Sequence, residues 1–592
     1  MSSPAISHYL RQNGYSTTVS IEQRIKESKL QGKSPMIIID LMYYDQLEGY
    51  LMRTSTEVKM SDLCGISRMR LQKLERFVAN MKSWGGELIF ITNGPYFDTS
   101  GQIIPDEDDS KGSSKDWRYE LQCAIIDYMN NDHYSKAAED ARFIPIERIW
   151  TESVTKIARR YGRILCAWDN TRHQEIVKFA SVNDALAIIS KNFAVLMYSG
   201  LSFPRYKLWS LVNCSEESMT TDEFDPLAIR RSLRFSTKQM RLLAALSDRY
   251  YATPTFLNFA ERMKFNQHFR NAFSNLVCYI RKTAGNLQEL DYLKIARDLF
   301  GEEKYIEKFE EFKTVCESYD INKITLSTEQ NNDSVNVQLK KQDSFNYDIY
   351  HGIKFTFSIT FVDYRYWAQH EVDIYEVCMG LYRRISGVIL QHKKDPTLMR
   401  YVNIKRNHDD PYSTVELEPE YPEGIYVPSL ESIFSNADEP SKIVPDFNIR
   451  LLEFITGMNL DRSALEFFWT TDQRSQLQDS LTLRYMVKIN MMDTFEADIF
   501  QLGIQRCRRE APQPHPLPDN INLRAFHLYF TYIKMRALMK HSFYGAGLDD
   551  TFMDECYLDG VLFQNMFQKW HKTGITDEFR EAVAPFKHFR LH

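Results

Sequence analysis

The chain has 592 residues, of which 43% are hydrophobic, 13% aromatic and 26% charged, and its net charge is −6. It is too long for one core and too apolar for a disordered chain, so two or three packed domains are expected. The negative balance speaks against a strongly basic nucleic-acid binder over the whole length and leaves room for a local basic face.

In chain order, Met36-Ile37-Ile38-Ile39-Asp40 is a short apolar run ending in an acid, the pattern of a buried parallel strand. Leu71, Leu74, Phe77, Val78 and Met81 follow at helical spacing until Gly85-Gly86. Leu88-Ile89-Phe90-Ile91-Thr92-Asn93-Gly94 reads as a second strand running into a turn. Residues 99–116 read as a mobile acidic loop and residues 117–141 as helix. Ile164-Leu165-Cys166-Ala167 is a third strand, and apolar runs recur at residues 185–189 and 194–198. Strands alternating with helices predict a parallel sheet covered on both faces.

From about Asp225 the pattern turns helical, with Ser236-Thr237 placed to cap a helix. Residues 322–347 form a polar linker, and residues 406–445 are rich in Pro, Glu and Asp. Long amphipathic helices are predicted over residues 374–390 and 523–539, the second with Phe526, Tyr529, Phe530 and Tyr532 as core. Lys587-His588-Phe589-Arg590 reads as a disordered basic tail. The expected domains are residues 1–215, 216–320 and 348–592, with residues 321–347 as linker.

Ligands of an α/β sheet gather at the carboxyl ends of its parallel strands. Those ends carry Asp40, then Asn93-Gly94-Pro95, then Trp168-Asp169-Asn170, then Ser190-Lys191-Asn192-Phe193-Ala194. Two-metal phosphodiester chemistry needs several carboxylates around cations about 4 Å apart. Only Asp40 and Asp169 qualify here.

The order of these strand ends resembles the flap endonuclease/XPG nuclease superfamily, over residues 5–260. The resemblance implies a PIN-like α/β parallel sheet with a helix–three-turn–helix element, followed by a mostly α-helical C-terminal region. The family's first-strand Asp matches Asp40. Its Asp-Gly motif reads Asn93-Gly94, and its Glu-x-Glu set falls in the stretch of Asp169, Asn170, Thr171, Arg172 and His173. Its Ser-x-Asp-x-Asp motif reads Ser190-Lys191-Asn192-Phe193-Ala194. Its last acid corresponds to Tyr250, or to Asp248 with a gap. The thinned acids and helical second half look most like Asteroid-type and Mkt-type members.

The resemblance therefore implies a catalytically inactive, nuclease-like scaffold with vestigial metal positions at Asp40, Asn93, Asp169, Asn170, Arg172, Asn192, Ala194 and Asp248. No cofactor is expected, and Asp40 is the one residue to which a metal contact would fall. Arg172 and Lys191 bring positive charge to the site, for a salt bridge or a phosphate. The alternatives are a divergent Mg2+/Mn2+-dependent nuclease using Asp40, Asp169, Asp248 and Asp184, a non-catalytic nucleic-acid binder, and an Asteroid-type signalling adaptor. Arg68, Arg70 and Lys73 on one helix, with Arg230, Arg231 and Arg234 before the helix–three-turn–helix element, are the nucleic-acid-binding candidates. The expected partners are proteins docking on the helical C-terminal region, with RNA or an RNA-binding protein complex as a further candidate and no membrane. Nine cysteines without metal-ligand spacing, no apolar run of membrane-spanning length and no secretory pattern at Met1-Ser2-Ser3-Pro4-Ala5 predict an intracellular chain, cytoplasmic in preference to nuclear.

Overall fold

The computed structural model describes residues 3–41, 64–65, 68–93, 117–133, 147–167, 172–200, 205–211, 219–250, 253–265, 269–283, 289–324, 326, 335–336, 338–339, 344–352, 355–358, 364–393, 401–405, 413–435, 444–470, 473–518, 520–553 and 558–590. The acidic loop expected at 99–116 lies outside them, as do most of the polar stretch 322–347 and residues 134–141 of the expected helix.

The chain divides into two compact units, residues 1–53, 73–93 and 157–331 in one and residues 54–72, 94–156 and 332–592 in the other. The chain that leaves the carboxyl ends of the first two predicted strands therefore passes into the second unit before it returns.

The first unit holds a seven-stranded sheet of β1 (Ser16–Ser20), β2 (Met36–Asp40), β3 (Glu87–Asn93), β4 (Arg163–Ala167), β5 (Ala187–Ile189), β6 (Lys207–Ser210) and β7 (Thr220–Phe224). Their order is β1-β7-β6-β5-β2-β3-β4. Strands β6, β5, β2, β3 and β4 run parallel, while β7 is antiparallel to β6 and β1 to β7. β2 is central and all five of its residues are buried, which is what an unbroken apolar run in a parallel sheet requires. On one face Ile38, Ile89 and Ile188 join Ile176, Val177 and Ala180 of the helix Arg172–Val182 in the core.

The apolar run at 194–198 is a correction to the expected strand: Phe193–Leu196 is a 3-10 helix. Its residues are buried on every side, so no periodicity distinguishes strand from helix. Asn192 starts the turn, its Oδ1 accepting from the Ala194 N–H at 2.9 Å. Farther on, Ser236 caps the helix Thr237–Ala244 in a reciprocal capping box with Gln239, as its sequence predicts.

The second unit is mostly helical, with a small sheet of β8 (Phe355–Ser358), β9 (Tyr401–Lys405) and β10 (Ser413–Glu416) in the order β10-β9-β8. The expected helix Ile374–Leu390 is present. The one expected over 523–539 continues to Gly545, because Phe543 and Tyr544 are buried as well. That helix is apolar nearly all round, which marks a helix enclosed by its neighbours. Across the helix Ile374–Leu390 runs an extended segment, tied by the Glu420 N–H to the Arg383 carbonyl at 3.0 Å. Gly387 permits this approach, since a Cβ there would stand 1.7 Å from the Glu420 carbonyl oxygen. The basic tail is also corrected: Ala584–Phe589 forms a 3-10 helix with Phe586 and Phe589 buried, and Arg590 pairs with Asp498. Among the described residues, no helix is long and apolar enough to cross a membrane.

Candidate functional site

Parallel register brings the carboxyl ends of β2, β3 and β5 level, with Asp40 opposite Ile91 and Ile39 opposite Ile189. Ser190, the residue after β5, therefore stands beside Asp40. Its Oγ donates to Asp40 Oδ2 at 3.1 Å and accepts from the Asn192 N–H at 3.1 Å. The helix after β4 opens on Arg172, whose Nε lies 3.4 Å from Asp40 Oδ1. The Asp40 carboxylate is 0% exposed and the Arg172 side chain 8%. A carboxylate withdrawn from water this far needs a counter-charge, and the guanidinium supplies it.

His173 completes the group. Its Nε2 lies 3.2 Å from Arg172 Nη2 and 3.8 Å from Asp40 Oδ2. Arginine can only donate, so Nε2 accepts and the neutral ring carries its proton on Nδ1. Burial, reinforced by the Arg172 charge, pulls the imidazolium from 6.5 down to a pKa of about 3. The folded state thus binds this proton less readily than the unfolded chain. Stability is expected to fall as pH drops from about 6.5 towards 3, and a His173→Gln variant should flatten that part of a urea-unfolding pH series.

Chemically the cluster is a neutralised carboxylate. The helix after β4 opens on Arg172 and sets its guanidinium against Asp40. After β5, Ser190 bonds to Asp40, Asn192 is spent on its own turn and Ala194 is buried with no ligand atom in its side chain. Sequence reasoning missed Glu175, which is buried in the first turn of the Arg172–Val182 helix. Its signal was an acid at a helix N-terminus, a pattern that helix stability alone favours.

The other acids are placed as follows. Asp248 lies in the π-helical turn Ala245–Arg249 and accepts from Tyr319 Oη at 2.8 Å. Asp184 precedes β5 and so lies at the amino end of the parallel strands, opposite to Asp40, which removes it from the set proposed for a divergent nuclease. Asn93 ends β3 opposite Ala167, and its side chain lies outside the described set, as do Asp169, Asn170 and the side chain of Arg70. Among the described residues, no group of three or more His, Cys, Asp or Glu is placed to hold a metal ion.

No family model matches the chain, and no curated protein matches it. Among solved structures it is similar to the catalytic core of Rad2 in complex with DNA substrate, at 13% identity and a TM-score of 0.28 over 54% of this chain and 86% of that one. It is also similar to human GEN1 in complex with Holliday junction DNA, at 10% identity and a TM-score of 0.31 over 70% of this chain and 88% of that one. At these scores the likeness carries no argument; the strand order and register above carry the fold.

The basic candidates separate by how their side chains are used. Arg68 is occupied within the second unit: its N–H donates to Asp559 Oδ2 at 3.0 Å and its Nη1 to the Glu510 carbonyl at 3.1 Å. Lys73 is half-buried. Arg230 donates through Nε to the Phe235 carbonyl at 3.1 Å and so helps close its own helix, Pro226–Leu233. Arg231 and Arg234 are exposed, with Arg234 in the left-handed region at φ +56° as the C-cap.

Proposed function

We propose that this chain is a nuclease-like scaffold that does not cut, acting through protein partners in RNA-regulatory complexes. The observation that carries the reading is the Arg172–Asp40 ion pair. An arginine stands against the one matching carboxylate, where two-metal hydrolysis would need further acids and open coordination positions. A second reading, non-catalytic nucleic-acid binding, is favoured by Arg231, Arg234 and Lys238, three exposed cations around one turn.

Purified full-length chain would be incubated with Mg2+ or Mn2+ and labelled single-stranded, duplex and flap DNA and RNA. No cleavage above a buffer control is expected. Cleavage that Asp40→Asn abolishes would refute the scaffold reading. In the same samples, salt-dependent retention of nucleic acid that Arg231→Glu with Arg234→Glu removes would establish the second reading.

A further inference from the structure

At the other end of the sheet from Asp40, within the first unit, lies a cavity of about 630 Å³. Its floor is the amino ends of β2, β5 and β6, and one wall is the helix Ile21–Leu30. Its size suits a small metabolite, and its lining is mainly polar, which selects against an apolar ligand.

The charges around it are not equally available. Glu223 accepts from Arg24 Nη2 at 2.7 Å and from the Trp209 indole at 3.0 Å. Glu27 is taken by Arg24 at 3.2 Å and by Gln23 at 2.7 Å. Asp225 pairs with Lys207 at 2.6 Å and caps the next helix through the Leu227 N–H. Among the described residues no ion pair holds Lys33, Arg205 or Asp184, which also line the cavity. The uncommitted charge is two cations against one acid. Arg24 is spent on the wall itself, its Nη atoms serving Glu27 and Glu223.

We propose that this cavity binds a small phosphate-bearing anion. Arg205 and Lys33 supply the charge. The proposal is independent of the reading of the Asp40 end.

The test uses pyrophosphate and ADP as probes, titrated into the full chain. Binding is followed by calorimetry and by the fluorescence of Trp209, whose indole is tied to the cavity through Glu223. Saturable binding is expected, weakened at least about 10-fold by Arg205→Glu and by Lys33→Glu. Lys304→Glu, an exposed cation remote in sequence from the lining, serves as the charge control and should leave it unchanged. Both cations are on the surface, so these variants should fold, and a preserved thermal midpoint verifies that they do. Absence of saturable binding at 5 mM probe (roughly 3 kcal/mol of affinity) overturns the proposal. So does binding that the Arg205 and Lys33 variants leave intact.

Discussion

Replacing Arg172 with alanine is expected to cost the first unit about 3–5 kcal/mol, because the Asp40 carboxylate stays buried while its counter-charge is gone. In thermal melts that corresponds to a drop on the order of 10 °C for a unit of this size. Arg172→Lys should fall between the two. It keeps the charge but loses the fork that reaches Asp40 Oδ1 and His173 Nε2 together. Asp40→Asn in the Arg172→Met background should recover much of the loss, since a buried ion pair replaced as a whole by neutral groups of similar volume is far less costly than one broken in half. The contrast between the broken pair and the replaced pair is the informative result. If Arg172→Ala lies within 1 kcal/mol of the parent, the guanidinium is not the cation that Asp40 depends on, and the argument for a neutralised site fails with it.

How far this site could be read from the sequence differs residue by residue. The five-residue run ending in Asp40 announces both a central strand and an acid at its carboxyl end, because a parallel strand buried on two faces has to be apolar throughout. The absence of acids at Asn192 and Ala194 is legible from identity alone. The partner of Arg172 is not. A salt bridge and a phosphate contact are both consistent with a cation at the start of a helix. Only the register of β2 against β5, together with the placement of the helix after β4, puts that guanidinium 3.4 Å from Asp40. The same limit explains Arg68. Its partners Glu510 and Asp559 are 442 and 491 residues away in the chain, so the local pattern of a basic helix face could not announce them.

Two of the elements that escaped the sequence are strands whose residues are mostly polar. β1, Ser-Thr-Thr-Val-Ser, and β7, Thr-Thr-Asp-Glu-Phe, are polar strands at one margin of the sheet. Their side chains find partners by ion pairing: Asp222 of β7 with Arg11 at 3.2 Å, and Glu223 with Arg24. An apolar core leaves a period in the sequence; a polar edge held by long-range pairs does not.

The same blindness hides a buried ion cluster of the second unit, which gives the other large expected effect. Asp479, on the helix Leu477–Lys488, accepts from Arg536 Nε at 2.6 Å and from Tyr532 Oη at 2.8 Å, both on Oδ1. Its Oδ2 faces Arg508 Nη2 at 3.3 Å. One buried carboxylate thus serves two guanidiniums, and Arg536 is only 1% exposed. Asp479→Ala removes a buried counter-charge shared by both, and about 3–5 kcal/mol should be lost. Asp479→Asn keeps an acceptor of the same shape but not the charge, and should cost less. Arg508→Ala should cost least, because its side chain is 13% exposed and water can replace part of what it gives up. Urea unfolding of the full chain, with a double-mutant cycle over Asp479 and Arg536, would apportion these effects. A coupling energy near zero would mean that the aromatic packing of the helix Leu523–Gly545 holds Arg536 in place without Asp479. In that case the ion cluster would follow from the helix packing instead of setting it.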